Sequence, residues 1–239
     1  MRNPVVLITG GAGGIGAATA RRLHGEGARV VIADRDATAG RAVVQEVDGL
    51  FIATDVGDLH DNRRAVAAAI DAYSRLDVVV LNAAVPGGCD FDDFSADAYR
   101  ATMRTNLDGV VYGIHAALPH LRRQGGGSFV VTASIAGLTG SPDIFYASSK
   151  HALVGLVRSA APALAVHNIR INALCPALVD TPAISRIRTS LIEHGLPLAD
   201  PDEIATAMAT LIADPRTGQV WTIHPGQPVV LLPPPTITP

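Results

Sequence analysis

Cysteine is scarce in this chain of 239 residues, which holds only Cys89 and Cys175. That excludes a disulfide-stapled scaffold and suits a reducing compartment, so the protein reads as cytoplasmic. Long apolar runs are missing as well. Stretches such as Val78-Val79-Val80-Leu81 fall far short of the ~20 residues that a bilayer crossing needs, and no membrane partner is expected. Met1-Arg2-Asn3-Pro4 leads straight into Val5-Val6-Leu7-Ile8, without the apolar core and small-residue cleavage site of a signal peptide. Charge is sparse: Asp, Glu, Lys and Arg make up 17% and the net charge is −3. Such a balance gives no long-range pull toward nucleic acid or an anionic surface. The eight histidines are scattered, with no His-Glu-x-x-His and no paired Cys-x-x-Cys, so no metal site is expected. Lysine is the scarcest cation. Of 19 basic residues 18 are Arg, and the single Lys is Lys150. A position that keeps Lys in an Arg-using chain can need a compact, deprotonatable ammonium that a guanidinium cannot supply. A stray Lys in a codon-biased gene is the alternative.

Against these shortages stands a hydrophobic content of 48%, ample for a core and incompatible with global disorder. Apolar, β-branched runs predict strands over Val5–Thr9, Arg29–Ala33, Leu50–Thr54, Asp77–Asn82, Ser128–Ala133, Arg170–Leu174 and Gln219–Ile223. Both faces of these runs are apolar, as a buried parallel sheet requires. Between them lie helix-period segments: Ile15–Glu26, Ala37–Asp48, Asp61–Arg75, Ala96–Arg123, Phe145–Val166, Ala183–His194 and Pro201–Ala213. The alternation predicts an α/β fold, a Rossmann-type doubly wound parallel sheet of about seven strands with helices on both faces. No linker or repeat divides the chain, so residues 1–232 read as a single domain. The following Pro233-Pro234-Pro235-Thr236-Ile237-Thr238-Pro239 reads as an extended tail.

The first strand runs into Thr9-Gly10-Gly11-Ala12-Gly13-Gly14-Ile15-Gly16 and at once into a helix. Glycines there allow a sharp turn and close approach of a pyrophosphate, and the helix start offers free N–H groups and partial positive charge. No Gly-Lys-Ser/Thr closes the turn, so it is not a Walker loop. The second strand ends at Asp34, 18 residues after Gly16, near the ~20 expected of a carboxylate that accepts from an adenosine ribose. At ~4 Å and an effective dielectric of ~20 it would oppose each unit charge of a 2′-phosphate by about 4 kcal/mol. Arg35 could offset that, yet Asp34 at the strand end favours NAD over NADP. Asp34 could alternatively cap the next helix. Asp55-Val56, after the third strand, is placed to meet the adenine edge, or is an ordinary loop pair.

Tyr146-Ala147-Ser148-Ser149-Lys150 opens a long helix. Residues four apart share a helix face, with Cβ atoms roughly 6 Å apart. An ammonium so placed favours the phenolate and should lower the tyrosine pKa from its usual ~10. That would let the phenol exchange a proton with an alcohol or ketone oxygen. Ser134 follows the fifth strand, at the sheet edge where such folds bind ligands, and its hydroxyl can polarise the same oxygen, unless it is only a turn residue. With four tyrosines and one lysine in the chain, a chance pairing at this spacing is rare.

These residues, together with Asn82-Ala83-Ala84, Asn106, Ala133-Ser134-Ile135-Ala136-Gly137 and Asn172-Ala173-Leu174-Cys175-Pro176 followed by Thr181, give the chain a close resemblance to the short-chain dehydrogenase/reductase family over nearly its whole length. The resemblance implies Tyr146 as catalytic acid/base and Ser134 as partner of the substrate oxygen. It implies that Lys150 lowers the tyrosine pKa and holds the nicotinamide ribose, and that Asn106 holds a water in a proton relay to Lys150. It implies further that Gly10, Gly14, Ile15 and Gly16 surround the pyrophosphate, that Asn82 and Ala83 flank the cofactor, and that Pro176, Val179 and Thr181 lie at the carboxamide. Ala84 and Ala177 each stand where the family usually has Gly, and the Ser134–Tyr146 separation is one residue shorter than its common spacing.

The expected activity is hydride transfer between NAD(H) and a secondary alcohol or ketone. An NADPH-dependent carbonyl or ketoacyl reductase and a non-catalytic dinucleotide sensor are the alternatives, the last disfavoured by the intact Ser, Tyr and Lys. Substrate walls are expected from Pro86–Phe91, Gly137-Leu138, Ile144-Phe145 and Ala177–His194, with a lid around Pro182–Leu191. Arg186 and Arg188 on that lid could meet a carboxylate or phosphate, or face solvent. Cys89 could touch substrate or merely pack. By resemblance, Ala96–Arg123 and Phe145–Val166 pack on the same helices of another subunit, implying a homo-oligomer, tetramer or dimer.

Overall fold

A computed structural model of the protein describes residues 3–234; of the expected Pro-rich tail, Pro235 to Pro239 fall outside the described residues. Among the described residues eight strands form one sheet. They are β1 (Val5–Thr9), β2 (Arg29–Asp34), β3 (Leu50–Ala53), β4 (Val78–Leu81), β5 (Gly127–Thr132), β6 (Ile169–Pro176), β7 (Val220–Ile223) and β8 (Val230–Leu232). Their order across the sheet is β3-β2-β1-β4-β5-β6-β7-β8. Neighbours pair in parallel through β7, with Ile8 opposite both Ile32 and Val80. Only β8 runs antiparallel, Trp221 facing Leu231. The sheet thus has one strand more than the sequence predicts. Val230–Leu232 sits between Pro228 and Pro233, and an edge position tolerates such neighbours where an inner strand would not.

The helices are α1 (Gly14–Gly25), α2 (Ala37–Glu46), α3 (Leu59–Tyr73), α4 (Ala96–Met103), α5 (Gly109–Gln124), α6 (Ile144–Ala165), α7 (Arg188–Glu193) and α8 (Pro201–Ala213). The expected continuous helix Ala96–Arg123 is interrupted by a π-turn at Arg104–Asp108. The expected helix Ala183–His194 is a 3-10 turn at Pro182–Ile184 followed by the short α7.

Each face of the sheet carries its own core. Val79, Phe129 and Ile171 point to the side covered by α3, α5 and α6; Ile8, Ile32 and Val80 point to the side covered by α1, α2 and α8. This two-sided burial explains the unbroken apolar runs: Val30, Val31, Ile32 and Ala33 are all fully buried. Each such valine or isoleucine contributes about 1.5–3 kcal/mol. Because the chain builds β1 to β3 outward and then returns to place β4 beside β1, the strand order reverses between them. A crevice opens at that point, at the carboxyl ends of the strands.

Candidate active site

The crevice is a cavity of about 630 Å³. Asp34 and Arg35 lie on its wall, as do Ser134, Tyr146 and Lys150. Local sequence explains its floor. Gly10 and Gly14 adopt φ of +63° and +50°, conformations that L side chains rarely take, and a Cβ on Gly10 would lie 2.7 Å from Ala83 Cα. Gly16 does not reach the wall. A Cβ there would run into Gly10 O and lie 2.8 Å from Gly11 Cα, so its part is to let the helix start pack under the turn. The N-terminus of α1 has no side-chain cap and no acid in its first turn. The starts of α2, α3, α6 and α8, by contrast, are capped by Asp36, Asp58, Asp143 and Asp200. An uncapped helix start facing a cavity is what an anion requires.

At the β2 end, Asp34 accepts from Ala12 N at 3.0 Å through Oδ2 and from Asp36 N at 3.0 Å through Oδ1. It ties the glycine turn to the strand end. The cap of α2 is Asp36, which accepts from Thr38 N and Ala39 N, so the capping alternative for Asp34 does not hold. Asp55 accepts from Gly57 N at 2.9 Å and from Arg104 Nη2 at 2.7 Å. Asp55 and the buried Val56 line the cavity just after the end of β3. Asn82 stitches three strand ends together: its Nδ2 donates to Thr9 O and Gly10 O, and Thr132 Oγ1 donates to its Oδ1. Ile15, Asn82, Ala83, Pro176, Val179 and Thr181 all lie on the wall. Thr181 Cγ2 lies 3.0 Å from where a Cβ of Gly14 would be, so the loop after β6 closes over the glycine turn.

At the other end Ser134 terminates β5 and caps the 3-10 turn Ile135–Gly137, its Oγ accepting from Ala136 N at 3.1 Å. Its side chain also acts on the Tyr146 phenol, favouring the phenolate. Lys150 is fully buried, donates from Nζ to Thr132 O at 2.8 Å, and sits 5.4 Å from the Tyr146 ring centroid. Burial pushes its ammonium down to about 8, with Cys175 acting the other way. The same burial pushes the Tyr146 phenol above its usual value, opposed by Ser134 and reinforced by the Asp143 carboxylate and Cys175. This corrects the expected direction. The i,i+4 spacing brings the lysine near, but spacing does not register how far the hydroxyl is withdrawn from water. Burial likewise raises the Cys175 thiol to about 11.

Asn106, expected in a proton relay, stands off the cavity wall and fully buried in the π-turn. Its Oδ1 accepts from Val85 N, and its Nδ2 donates to Val85 O and to Ser149 Oγ. Ser149 Oγ in turn donates to Tyr146 O at 2.7 Å. Asn106 therefore couples the β4–α4 loop to the helix that carries Tyr146. Of the expected walls, Pro86, Ala177 and the lid residues Ile184 and Ile187 line the cavity, whereas Cys89, Gly137-Leu138, Ile144-Phe145, Arg186 and Arg188 do not. Arg188 is committed to Asp180 through two bonds of 2.7 and 2.6 Å. Asp143 lies in the loop of residues 141–144 between Ser134 and Tyr146, which the shortened spacing places at the substrate site; its capping role is the part the sequence reading missed. The residue lies on the wall and caps α6 through Tyr146 N, and the signal for the cap was an Asp just before an apolar helical run.

The residues fit a dinucleotide: an uncapped helix start under a glycine turn, a carboxylate at one end of the cavity, and a phenol–ammonium pair at the other. Among the described residues no cluster of His, Cys, Asp or Glu could hold a metal ion, and no helix is long and apolar enough to cross a membrane. Residues 4–191 match the family model described as short chain dehydrogenase. The chain is 33% identical over 222 residues to the cyclohexanol dehydrogenase of Acinetobacter sp. (strain SE19), covering 89% of this chain and 88% of that one. It is 34% identical over 225 residues to the trans-4-hydroxycyclohexanecarboxylate dehydrogenase of Sinomonas cyclohexanicum, covering 88% and 86%. Its fold superposes with a TM-score of 0.85 on a 3-ketoacyl-(acyl-carrier-protein) reductase from Brucella melitensis complexed with NADH, at 27% identity, covering 93% of this chain and 97% of that one. The chain belongs to the short-chain dehydrogenase family, and it is an oxidoreductase that uses NAD(P) to interconvert CH–OH and C=O groups.

Proposed function

We propose that the protein is an NAD-dependent dehydrogenase of neutral secondary alcohols, reducing the matching ketones in reverse. The observation that carries this is the buried Tyr146–Lys150 pair with Ser134 on one cavity wall whose far end holds Asp34. In this reading Gly10, Gly14, Ile15 and the free N–H groups of α1 hold the pyrophosphate. Asp34 accepts from the adenosine ribose, and Asp55 and Val56 border the adenine. Asn82, Ala83, Pro176, Val179 and Thr181 enclose the nicotinamide half. Such a cofactor, when bound, supplies the hydride acceptor and a positive charge beside the phenol.

Ser134 Oγ, on the same wall as the tyrosine, holds the substrate oxygen at the point where Tyr146 exchanges its proton. With its pKa raised by burial, the phenol is protonated in the unliganded protein and ready as the acid for ketone reduction. For alcohol oxidation it must first lose that proton, which cationic neighbours favour. Lys150, with a pKa of about 8, is an ammonium at neutral pH. One of its N–H groups is spent on Thr132 O, leaving two to hold a ribose hydroxyl and pass protons. Asn106 keeps the tyrosine's helix in register with the β4–α4 loop and, in the same reading, orients a relay water.

Among the described residues, the substrate end has no free cation on its wall. Lys150 is buried in the tyrosine pair, Arg188 is paired to Asp180, and Asp143 adds a carboxylate. A neutral ring alcohol therefore suits the site better than an acid. The test follows NADH absorbance with cyclohexanol and with trans-4-hydroxycyclohexanecarboxylate as substrates. Turnover of the neutral alcohol with NAD, and its loss by at least ~10³-fold in Tyr146→Phe with NADH binding kept, is the expected result. Full activity in that variant defeats the mechanism, and preference for the carboxylate defeats the substrate class. A second reading is favoured by Arg35 on the same wall: an NADPH-dependent reductase, recognised by a higher kcat/KM with NADPH than with NADH. A homo-oligomer packed through α5 and α6 accompanies either reading, and light scattering on the eluting protein checks it.

A further inference from the structure

One carboxylate at the mouth of the cavity touches both things that must stay aligned during the reaction. Asp143 Oδ1 accepts from the backbone N–H of Tyr146 at 3.2 Å, and Asp143 Oδ2 accepts from Gly87 N at 2.9 Å. Gly87 belongs to the loop between β4 and α4, 56 residues away in sequence. That loop has no room to drift: a Cβ on Gly87 would run into Asp143 Oδ1 and lie 3.2 Å from Tyr146 N. From its other side Thr102 Oγ1 meets the carbonyls of Pro86 and Gly87, each at 3.0 Å. Ser141 Oγ holds the Asp143 backbone N–H at 3.3 Å. Pro86 and Asp143 both line the cavity.

An ordinary N-cap needs only one acceptor atom. Here the second oxygen of the same side chain is spent on the substrate loop instead. We propose that Asp143 is a positioning residue that locks the Pro86-Gly87 segment to the catalytic tyrosine, so that substrate wall and phenol move as one body. The inference rests on the reading of Tyr146 as acid/base.

Asparagine separates the two jobs of this side chain. It caps a helix as well as aspartate does, but it has one acceptor oxygen and no charge. Asp143→Asn therefore keeps the cap and gives up the tie to Gly87. The titratable groups around Tyr146 are Asp143 at the cap, Lys150 on α6 and Cys175 at the end of β6. Removing the first leaves the other two in place, and because the carboxylate disfavours the phenolate, its loss moves the tyrosine limb of the kcat profile to lower pH. The experiment measures the melting temperature, NADH affinity by fluorescence, steady-state kinetics with the best alcohol found, and the pH profile. It compares wild type, Asp143→Asn and Asp143→Ala.

The expected result for Asp143→Asn is a melting temperature and an NADH Kd close to wild type. Its kcat/KM falls by about 10- to 100-fold, the scale on which small misplacement of reacting groups acts, and its pH limb moves downward. Asp143→Ala shows the same kinetic loss with a lower melting temperature. Wild-type kinetics and pH profile in Asp143→Asn would overturn the proposal and leave Asp143 a helix cap only. A kinetic loss matched by an equal loss of NADH affinity would overturn it too, as general damage. Failure of the Tyr146 assignment is separable, because it shows in Tyr146→Phe, where Asp143 is intact.

Discussion

Lys150 should make the unliganded protein grow more stable as the solution becomes more alkaline, over a window set by its burial. Its ammonium titrates near 8 in the fold against 10.5 for an ordinary lysine. Above pH 8 the folded chain releases this proton while the unfolded chain keeps it, so the unfolded state binds more protons and unfolding becomes harder as pH rises. The cost of the buried charge is present in full below pH 8 and gone above about pH 10.5. The interval between 8 and 10.5 corresponds to about 3 kcal/mol of stability at ~1.4 kcal/mol per pH unit. Cys175 works in the opposite sense. Its thiol is raised from 9.0 to about 11, so the unfolded chain ionises first and stability is lost between pH 9 and 11.

The clean measurement therefore compares Cys175→Ala with Cys175→Ala/Lys150→Met by urea unfolding from pH 7 to 10.5. Methionine keeps the length and loses the charge. Its orphaning of Thr132 O costs about 1–3 kcal/mol at every pH and cancels from the slope. The difference in unfolding free energy should change by about 3 kcal/mol across the range, in favour of the lysine protein at high pH. A difference flat to within about 0.5 kcal/mol would refute the claim that Lys150 is held as an ammonium against its burial.

Three further outcomes follow from single contacts. Lys150→Arg places a planar guanidinium where a compact ammonium meets Thr132 O in a fully buried site; kcat/KM should fall by more than ~100-fold, and wild-type rates would make the lone lysine an accident of composition. Asp34→Ala removes a charged acceptor worth about 1.5–3 kcal/mol, so the NAD-to-NADP ratio of kcat/KM should drop by about 10- to 100-fold, and an unchanged ratio would place cofactor choice elsewhere. Gly16→Ala forces Gly10 and Gly11 away from the helix start; the stabilisation that NADH gives in a thermal melt should disappear while the protein still folds, and a wild-type shift would show that the close packing is not needed.

What the sequence made legible is what depends on neighbours along the chain. The inner strands were readable because burial on both faces leaves runs such as Val30-Val31-Ile32-Ala33 without a polar residue. The glycine turn and the Tyr146–Lys150 pair were readable because each packs its function into a few consecutive residues. Strand β8 was not, since three residues between prolines carry no period. The π-turn at Arg104–Asp108 was not, because a single widened turn leaves the apolar pattern of α4 and α5 nearly unchanged. That turn carries Asn106, whose side chain meets Val85 and Ser149, two residues on either side of it by more than a dozen positions.

The tyrosine shows where such reading stops. Its two sequence neighbours that matter lie three and four positions away and oppose one another: Asp143 disfavours the phenolate and Lys150, as an ammonium, favours it. Position along the helix does not decide between them, because the largest influence on the phenol is the loss of water around it. The residues that act on the phenol besides Asp143, namely Ser134 after β5 and Cys175 on β6, come from other parts of the chain. A phenol held protonated by burial stands next to an ammonium whose proton the same burial loosens. Burial disfavours the charged form of each group, so a charge added nearby shifts both titrations. The pH profiles of the unliganded and NAD-loaded protein should therefore differ more than those of any surface titration, and identical profiles would mean that the site does not sense its cofactor at all.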